Sequence, residues 1–395
     1  MTVHALDKKM KIAAARPPRH TPGRPERCDR IALVLQGGGA LGAYQAGVYE
    51  ALHEAGIEPD WVSGVSIGAI NSAIIAGNPP ELRLERLRAF WERVTSKDIW
   101  PYAPDGDIFR KAHNMTSSLM TMMFGQTGFF TPRATSPWFS VPGAKGATSY
   151  YDTDPLRKTL LELVDFDLIN KRGTRFSVGA VNVRSGNFLY FDNHDTSIGP
   201  EHVMASGALP PAFPMTQIGT EHFWDGGIVS NTPLQHVLEH DGLCNMLIFQ
   251  VDLFSSRGLL PRDIQSVMAR QKDITYASRT RYNTDVYRQL RKWKLRAFEA
   301  LSKVPEELLT EEEKALRQEL SHLPQIAILH LIYQHQAYEG DSKDYEFSAA
   351  SMKEHWRSGY TDTKRTLAQR DWMDLPPDGR GVVVHDVHRE REFAE

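Results

Sequence analysis

A serine flanked by two glycines, Gly64-Val65-Ser66-Ile67-Gly68, stands where a buried strand should hand over to an apolar helix. Nothing else in the chain limits the fold so strongly. Before it, Asp60-Trp61-Val62-Ser63 reads as a short buried strand, and after it residues 69–76 read as a helix. A serine on so sharp a turn needs small neighbours on both sides, because the backbone passes close to itself. Gly64 and Gly68 supply that room and leave the Ser66 hydroxyl exposed at a helix N-terminus. There the helix dipole and free N–H groups favour negative charge, including the alkoxide and the oxyanion of acyl transfer. Ser66 is therefore a candidate nucleophile.

A second pattern lies upstream. Ile31-Ala32-Leu33-Val34-Leu35 is apolar throughout, as a central parallel strand buried on both faces requires. It runs into Gln36-Gly37-Gly38-Gly39-Ala40-Leu41-Gly42, then a helix over about 43–55 that Gly56 ends. Glycines between a strand and a helix leave N–H groups pointing into open space, ready for an anion. One reading is an oxyanion hole beside a serine. The other is a dinucleotide fingerprint, because Gly37, Gly39 and Gly42 satisfy G-x-G-x-x-G. That fingerprint wants an acidic residue at the end of the next strand to hold ribose hydroxyls. Here the strand ends in Ser63-Gly64 and Asp60 stands at its start, so the oxyanion reading is the better one.

The third piece is Phe223-Trp224-Asp225-Gly226-Gly227, with Asn231-Thr232-Pro233 downstream. Alone, Asp-Gly-Gly after an apolar stretch is a plain turn. The order of glycine-rich loop, serine elbow and Asp-Gly-Gly resembles the patatin-like phospholipases. Residues 205–214, Ala-Ser-Gly-Ala-Leu-Pro-Pro-Ala-Phe-Pro, also look like that family's loop ahead of its aspartate. The likeness covers about 31–237, and the remainder resembles the C-terminal extension of a bacterial subgroup. It implies an α/β fold: a three-layer α/β/α sandwich with a mainly parallel central sheet and helical insertions. It implies Ser66 as nucleophile and Asp225 as base, in a dyad without histidine. It also implies an oxyanion hole from the N–H groups of Gly37, Gly38, Gly39 and Gly42. Gly64, Gly68, Gly226 and Gly227 would shape the elbow and the aspartate loop, and neither cofactor nor metal is implied. One departure stands out, since many members carry Arg or Lys where this chain has Leu41.

A dyad is chemically workable. The serine hydroxyl is a poor nucleophile until a positioned base takes its proton. A carboxylate, with an ordinary pKa of roughly 4, is a weaker base than imidazole, but desolvation beside an acyl chain raises it. The rival is a Ser-Asp-His triad, because His236, His240 and His330 all follow Asp225. His236 would sit in the helix after Pro233 and reads as a partly exposed helical histidine.

Charge and composition exclude several classes. With 46 Lys+Arg against 49 Asp+Glu the net charge is −3, so bulk charge recruits neither nucleic acid nor an anionic membrane. The 2 cysteines are far apart and suit a reducing compartment rather than a disulfide scaffold. Residues 1–30 lack an apolar signal region, and no run approaches the ~18 apolar residues of a membrane span. The expectation is a cytoplasmic chain, with peripheral contact at the inner membrane face left open. Asp192, His194 and Asp195 fall in one turn, too little for a metal site. Asp152 and Asp154 read as helix-capping residues ahead of Pro155.

The expected organisation is a Pro/Arg-rich tail over 1–29, a catalytic core over 30–240, an extension over 241–375 that completes the sheet and a tail over 376–395. Further strands read at 175–182, 186–191, 245–253 and 325–333. The core carries an apolar insertion at about 100–150, rich in Met115, Met120, Met122, Met123, Phe124, Phe129, Phe130, Trp138 and Phe139. It suits either an acyl-chain surface or a loop packed over the core. The extension carries a helical stretch over 261–320, basic and aromatic in its first half, acidic in its second. It reads as a hairpin with charge pairs across it, or as a helix lying on a membrane. The resulting expectation is a hydrolase of lipid acyl esters working through an acyl-enzyme on Ser66, with a lipid or ester substrate as partner. The alternatives are an esterase of small acyl or hydroxyalkanoate esters, and a silent lipid-binding scaffold.

Overall fold

The computed structural model describes residues 23–95, 107–144, 146–240, 244–321, 323–335, 339–340, 342–377 and 381–387. Its strands in chain order are β1 (Arg30–Leu35), β2 (Trp61–Gly64), β3 (Thr131–Pro132), β4 (Tyr151–Asp152), β5 (Arg175–Asn182), β6 (Phe188–Asp192), β7 (Thr216–Ile218), β8 (Glu221–Asp225), β9 (Met246–Asp252), β10 (Ile326–Ile332) and β11 (Val382–His385). One sheet runs in the order β11-β10-β9-β1-β2-β5-β8-β7, with β6 also on β5, and β3 and β4 form a separate small pair. The strands from β11 to β5 are all parallel, while β6, β8 and β7 join antiparallel.

The apolar run of β1 has its cause in this position. Ala32 pairs with Trp61 on one side and with Ile248 on the other. Alternate residues then feed two cores. Ile31, Leu33 and Leu35 pack with Tyr44, Ile67 and Ile70 on one face. Ala32 and Val34 pack with Leu234, Val237 and Met246 on the other. Helices Ala43–Glu54, Ile67–Ala76 and Ala349–Ala368 cover the first face, and Leu234–Glu239 and Thr280–Leu301 cover the second. The three-layer α/β/α sandwich read from the sequence is thus the fold observed.

Residues beyond 240 complete this sheet, since β9, β10 and β11 all come from them. Helix Ala349–Ala368 lies directly on helix Ala43–Glu54, and two glycines allow it. A Cβ at Gly47 would fall on the Trp356 carbonyl, and one at Gly359 on the Tyr44 carbonyl. Tyr44 Oη also donates to buried Asp362 at 3.0 Å.

Several expectations need correction. Residues 1–22 lie outside the described residues, but the end of the expected tail is docked. Arg24 bridges Asp60 at 2.6 Å, and the same carboxylate takes the Ile31 N–H at 2.8 Å. Asp60 is thus a clamp on the start of β1. The insertion, whose residues 96–106 and 145 lie outside the described ones, contains an 18-residue helix, Asp107–Phe124, and not only loops. The cap of helix Asp154–Leu163 is Thr153, one residue earlier than expected, with Asp152 accepting the Asp154 N–H at 3.0 Å. Helices Thr280–Leu301 and Glu311–Leu320 do form the hairpin, but the described ion pairs are local, Arg288 with Asp285 and Arg317 with Glu306. Arg288 instead donates to the Val382 carbonyl at 3.3 Å, and Arg291 reaches the Pro324 carbonyl.

The segment expected to be a C-terminal tail holds β11, which pairs with β10 from Ile326↔Val382 to Leu329↔His385. Its apolar Val382 is buried against Ile326 and Ile328. Ending the chain at residue 375 should lower unfolding stability by on the order of 2 kcal/mol or more, one buried valine plus an exposed strand edge. Denaturant titration of the truncated protein measures this. An unchanged midpoint would return the segment to a tail.

Candidate active site

The glycine-rich loop, the serine elbow and the Asp-Gly-Gly loop meet at the ends of β1, β2 and β8. Ser66 carries φ +56° and ψ −125°, a left-handed conformation that a side-chain-bearing residue holds only under constraint. The constraint comes from its neighbours. A Cβ on Gly64 would fall on the Gly68 carbonyl, and one on Gly68 on the Leu35 carbonyl. Ser206 locks the turn from the other side. The Ser66 N–H points at the Ser206 carbonyl (3.0 Å) and hydroxyl oxygen (3.1 Å), and that hydroxyl donates to the Gly179 carbonyl at 2.6 Å.

Asp225 ends β8 and is 1% exposed. Its N–H donates to the Ala208 carbonyl at 3.0 Å, within the loop preceding it. The carboxylate accepts the Gly227 N–H at 2.7 Å, and the Ser66 side chain lies near enough to act on its pKa. Burial pushes its pKa up to about 7, against the opposing pull of those two groups. Gly226 and Gly227 have clear reasons. A Cβ on Gly226 would lie 2.6 Å from the Gly179 carbonyl oxygen, and one on Gly227 2.9 Å from Asn231 Oδ1.

The four glycines expected to form an oxyanion hole divide. The Gly37 N–H is already bonded to the Asn231 carbonyl at 3.2 Å, so it is not available. Gly42 lies away from the pocket, where a Cβ would strike Ile67 and sit 3.0 Å from Trp91. Gly38 and Gly39 line the pocket, and their N–H groups have no acceptor among the described residues. Gly39 has φ +55°, and a Cβ there would fall on the Asp344 carbonyl.

Two residues that the sequence reading passed over hold this loop. Gln36, fully buried, accepts the Leu253 and Phe254 N–H groups at 2.5 and 2.9 Å. It donates to Thr232 Oγ1 and to the Tyr276 carbonyl, both at 2.9 Å. Asn231 donates to the Gly37 carbonyl at 3.0 Å and to the same Tyr276 carbonyl at 3.2 Å. One backbone oxygen of the extension thus fastens both loops of the site. Tyr276 ends helix Ile264–Tyr276, and a backbone acceptor at a helix end leaves no mark in a sequence.

The pocket over Ser66 and Asp225 is narrow, with a cavity volume of about 70 Å³. Phe129, Phe130, Phe213, Phe347, Leu209 and Ile70 form an apolar wall, and Tyr276, Asp344 and Tyr345 also line it. The aromatic rings interlock, Phe130 lying 5.2 Å from Phe213 and Phe129 5.9 Å from Phe347 between centroids. The insertion therefore reaches the pocket through Phe129 and Phe130. Met115, Met120, Met122, Met123, Phe124, Trp138 and Phe139 are instead exposed. The expectation that the methionines face the acyl chain is corrected accordingly.

No histidine lines the pocket among the described residues. His236, expected to be partly exposed, is buried. It stacks on Tyr190 at 3.9 Å and faces Asp192 at 3.5 Å, which Arg175 also bridges at 2.8 Å. Burial lowers its pKa. His240 Nδ1 contacts the His236 carbonyl, and His330 lies 2.5 Å from Asp252. Asp192 is thus committed to ion pairing, and His194 and Asp195 beside it form no metal cluster among the described residues.

The family model described as patatin-like phospholipase matches residues 33–238. The chain belongs to the patatin-like phospholipase family. A second model, described as patatin phospholipase, matches residues 274–379, where Tyr276, Asp344, Tyr345 and Phe347 lie. Lysophospholipase nte1 of Aspergillus terreus is 27% identical over 58% of this chain and 12% of its own length. Human patatin-like phospholipase domain-containing protein 6 is 35% identical over 23% of this chain and 7% of its own. The chain thus spans a small fraction of these relatives. Among solved structures, VipD from Legionella pneumophila has a TM-score of 0.38 at 13% identity, covering 98% of this chain and 79% of that one.

The raised pKa of Asp225 has a stability consequence. Its carboxyl titrates near 3.8 when unfolded and near 7 in the fold. Ionising it inside the fold is unfavourable, so its contribution is harmless below pH 4 and destabilising as pH rises through 7. Asp225→Asn should therefore be more stable than wild type at pH 8, by up to roughly 4 kcal/mol at 1.36 kcal/mol per pKa unit, and comparable at pH 4. Calorimetry at both pH values tests it, and a difference that ignores pH would contradict the assignment.

Proposed function

We propose that this chain hydrolyses acyl esters of lipids through a Ser66–Asp225 dyad. The observation that carries the reading is a buried carboxylate, with its pKa raised to about 7, lining one pocket with a serine on a strained strand-to-helix turn. Asp225 takes the Ser66 proton as Oγ attacks the ester carbonyl. The Gly38 and Gly39 N–H groups then receive the developing oxyanion. Collapse of the tetrahedral intermediate breaks the ester C–O bond, and Asp225 returns the proton to the departing alcohol. Water next attacks the acyl-enzyme, giving up a proton to Asp225, and the carboxylic acid leaves as Ser66 regains its hydroxyl. The aromatic wall accepts the acyl chain, each buried methylene contributing about 0.8 kcal/mol.

Ser66→Ala should abolish hydrolysis of p-nitrophenyl esters and labelling by a fluorophosphonate probe while the protein stays folded. Asp225→Asn should reduce kcat by several orders of magnitude, whereas His236→Ala and His240→Ala keep kcat within about tenfold. A histidine variant as inactive as Asp225→Asn would restore a triad. Labelling that persists in Ser66→Ala would remove the nucleophile assignment.

The exposed apolar side chains support a lipid surface as the place where substrate is met. No helix among the described residues is long and apolar enough to cross a membrane. Trp138 and Phe139 are 80% and 85% exposed, beside the exposed Met122, Met123 and Phe124. The same segment is tied to the pocket wall. Trp138 Nε1 donates to Tyr150 Oη at 3.1 Å, Tyr151 Oη donates to the Met122 carbonyl at 2.8 Å, and Phe130 and Tyr151 rings lie 4.8 Å apart. Apolar side chains left in water beside a pocket mouth gain by entering a lipid interface. The long basic helix, which also invited a membrane reading, packs its Tyr287 on the sheet face opposite to the helix that follows Ser66. Replacing both Trp138 and Phe139 by alanine should weaken binding to phosphatidylcholine vesicles by about tenfold in a sedimentation assay. Hydrolysis of p-nitrophenyl butyrate should stay near the wild-type rate. Equal vesicle binding by the variant would place the contact elsewhere.

A further inference from the structure

The pocket has two chemically different sides. Phe129, Phe130, Phe213 and Phe347 make one, and Tyr276, Asp344 and Tyr345 make the other. The polar side comes wholly from residues beyond 240, and its position is tightly defined. The Asp344 carbonyl presses on Gly39 where any side chain would collide, and Asp344 Cβ lies 3.5 Å from where a Gly39 Cβ would be. The Asp344 backbone is therefore fixed against the Gly39 turn, and the residue lines the pocket. Its carboxylate accepts from Lys272 Nζ at 2.7 Å, and that ammonium stands 5.1 Å from the centre of the Tyr345 ring.

Two features of this side describe what it can bind. Among the described residues, neither the Tyr276 nor the Tyr345 hydroxyl has a hydrogen-bond partner. Burial, helped by the charges of Asp344 and Asp225, holds the pKa values of both phenols above the ordinary range. The described pocket lining also contains two carboxyls, Asp225 and Asp344, and no Lys, Arg or His. Lys272, outside that lining, is already engaged by Asp344.

We propose that Asp344, Tyr345 and Tyr276 read the alcohol half of the ester and select an uncharged, hydroxyl-bearing alcohol such as glycerol over a phosphodiester headgroup. The inference rests on the hydrolase reading given above and narrows its substrate class to esters of the monoacylglycerol kind. A free hydroxyl both donates and accepts, so it can donate to the Asp344 carboxylate while accepting from a tyrosine. A phosphodiester brings a negative charge and no proton to donate. It would stand in a partly desolvated space beside Asp225 and the Lys272-paired Asp344, and no cation among the described lining residues would take up its charge. A site built around a substrate hydroxyl also discriminates against an alcohol that lacks one, because its own polar groups are then left unpaired.

The test uses the full chain and three lauroyl esters below their aggregation concentrations: 1-monolaurin, lauroyl lysophosphatidylglycerol and p-nitrophenyl laurate. Wild type should show kcat/KM at least about tenfold higher on monolaurin than on the lysophosphatidylglycerol. Asp344→Asn, which removes the charge but keeps the shape, should shrink that ratio by about tenfold through KM for monolaurin. Tyr345→Phe keeps the ring and should shrink it in the same direction. A wild-type preference for the phosphodiester, or a ratio unmoved in both variants, would overturn the proposal. A uniform fall on all three esters in both variants would do the same, marking a purely structural role. Should none of the esters be cleaved and Ser66 resist the fluorophosphonate, the failure belongs to the hydrolase reading instead.

Discussion

The site depends on one backbone constraint, the left-handed conformation of Ser66 at the end of β2. A residue with a side chain avoids φ near +56° unless its surroundings leave no alternative. Here they leave none. Gly64 and Gly68 let three segments of main chain touch, and Ser206 fills the hydrogen-bonding needs of the turn. Because the turn is fixed, Ser66 is held in the same pocket as Asp225. The cost of holding both the strained turn and a buried carboxylate is borne by the sheet around them. That sheet is buried on both faces from β10 to β5.

The residues after 240 are as much a part of the site as the serine. Their contribution is partly architectural, through β9 and β10, which give β1 its second neighbour. It is also local. The Tyr276 carbonyl receives Gln36 and Asn231 together, so the glycine-rich loop and the Asp-Gly-Gly loop share one anchor. Asp344 closes on Gly39, and Phe347 finishes the aromatic wall. The paired glycines Gly47 and Gly359 let the two helices behind the site approach until their backbones touch.

What was legible in the sequence follows from range. The elbow, the glycine run and Asp-Gly-Gly are each written in fewer than ten consecutive residues, where spacing alone specifies geometry. Strand β5 was read at its observed limits because its apolar alternation is bounded by turn residues. The failures share a different cause. Phe129 and Phe130 face the pocket while Met122 and Met123 face solvent, and that depends on how helix Asp107–Phe124 is rotated and where its chain turns at Gly125. His236 is buried because Tyr190 and Trp61 cover it, both from distant strands. Strand β11 is four residues long, too short for a periodic signal, and earns its place only by pairing with β10. Gly37 looked like its two neighbours in sequence, yet its N–H is taken by a carbonyl from residue 231.

The placement of β1 between β2 and β9 also sets a schedule. A ribosome delivers Ala32 and Trp61 together, but Ile248 much later, and Tyr276, Asp344 and Phe347 later still. A nascent chain that has emerged as far as Asp225 already holds the serine, the glycine run and the aspartate. It lacks the third strand of its own core and the carbonyl that fastens both loops. Domains tend to form as units once their long-range partners are present. The pocket and its shared anchor are therefore completed only when almost all of the chain has been made.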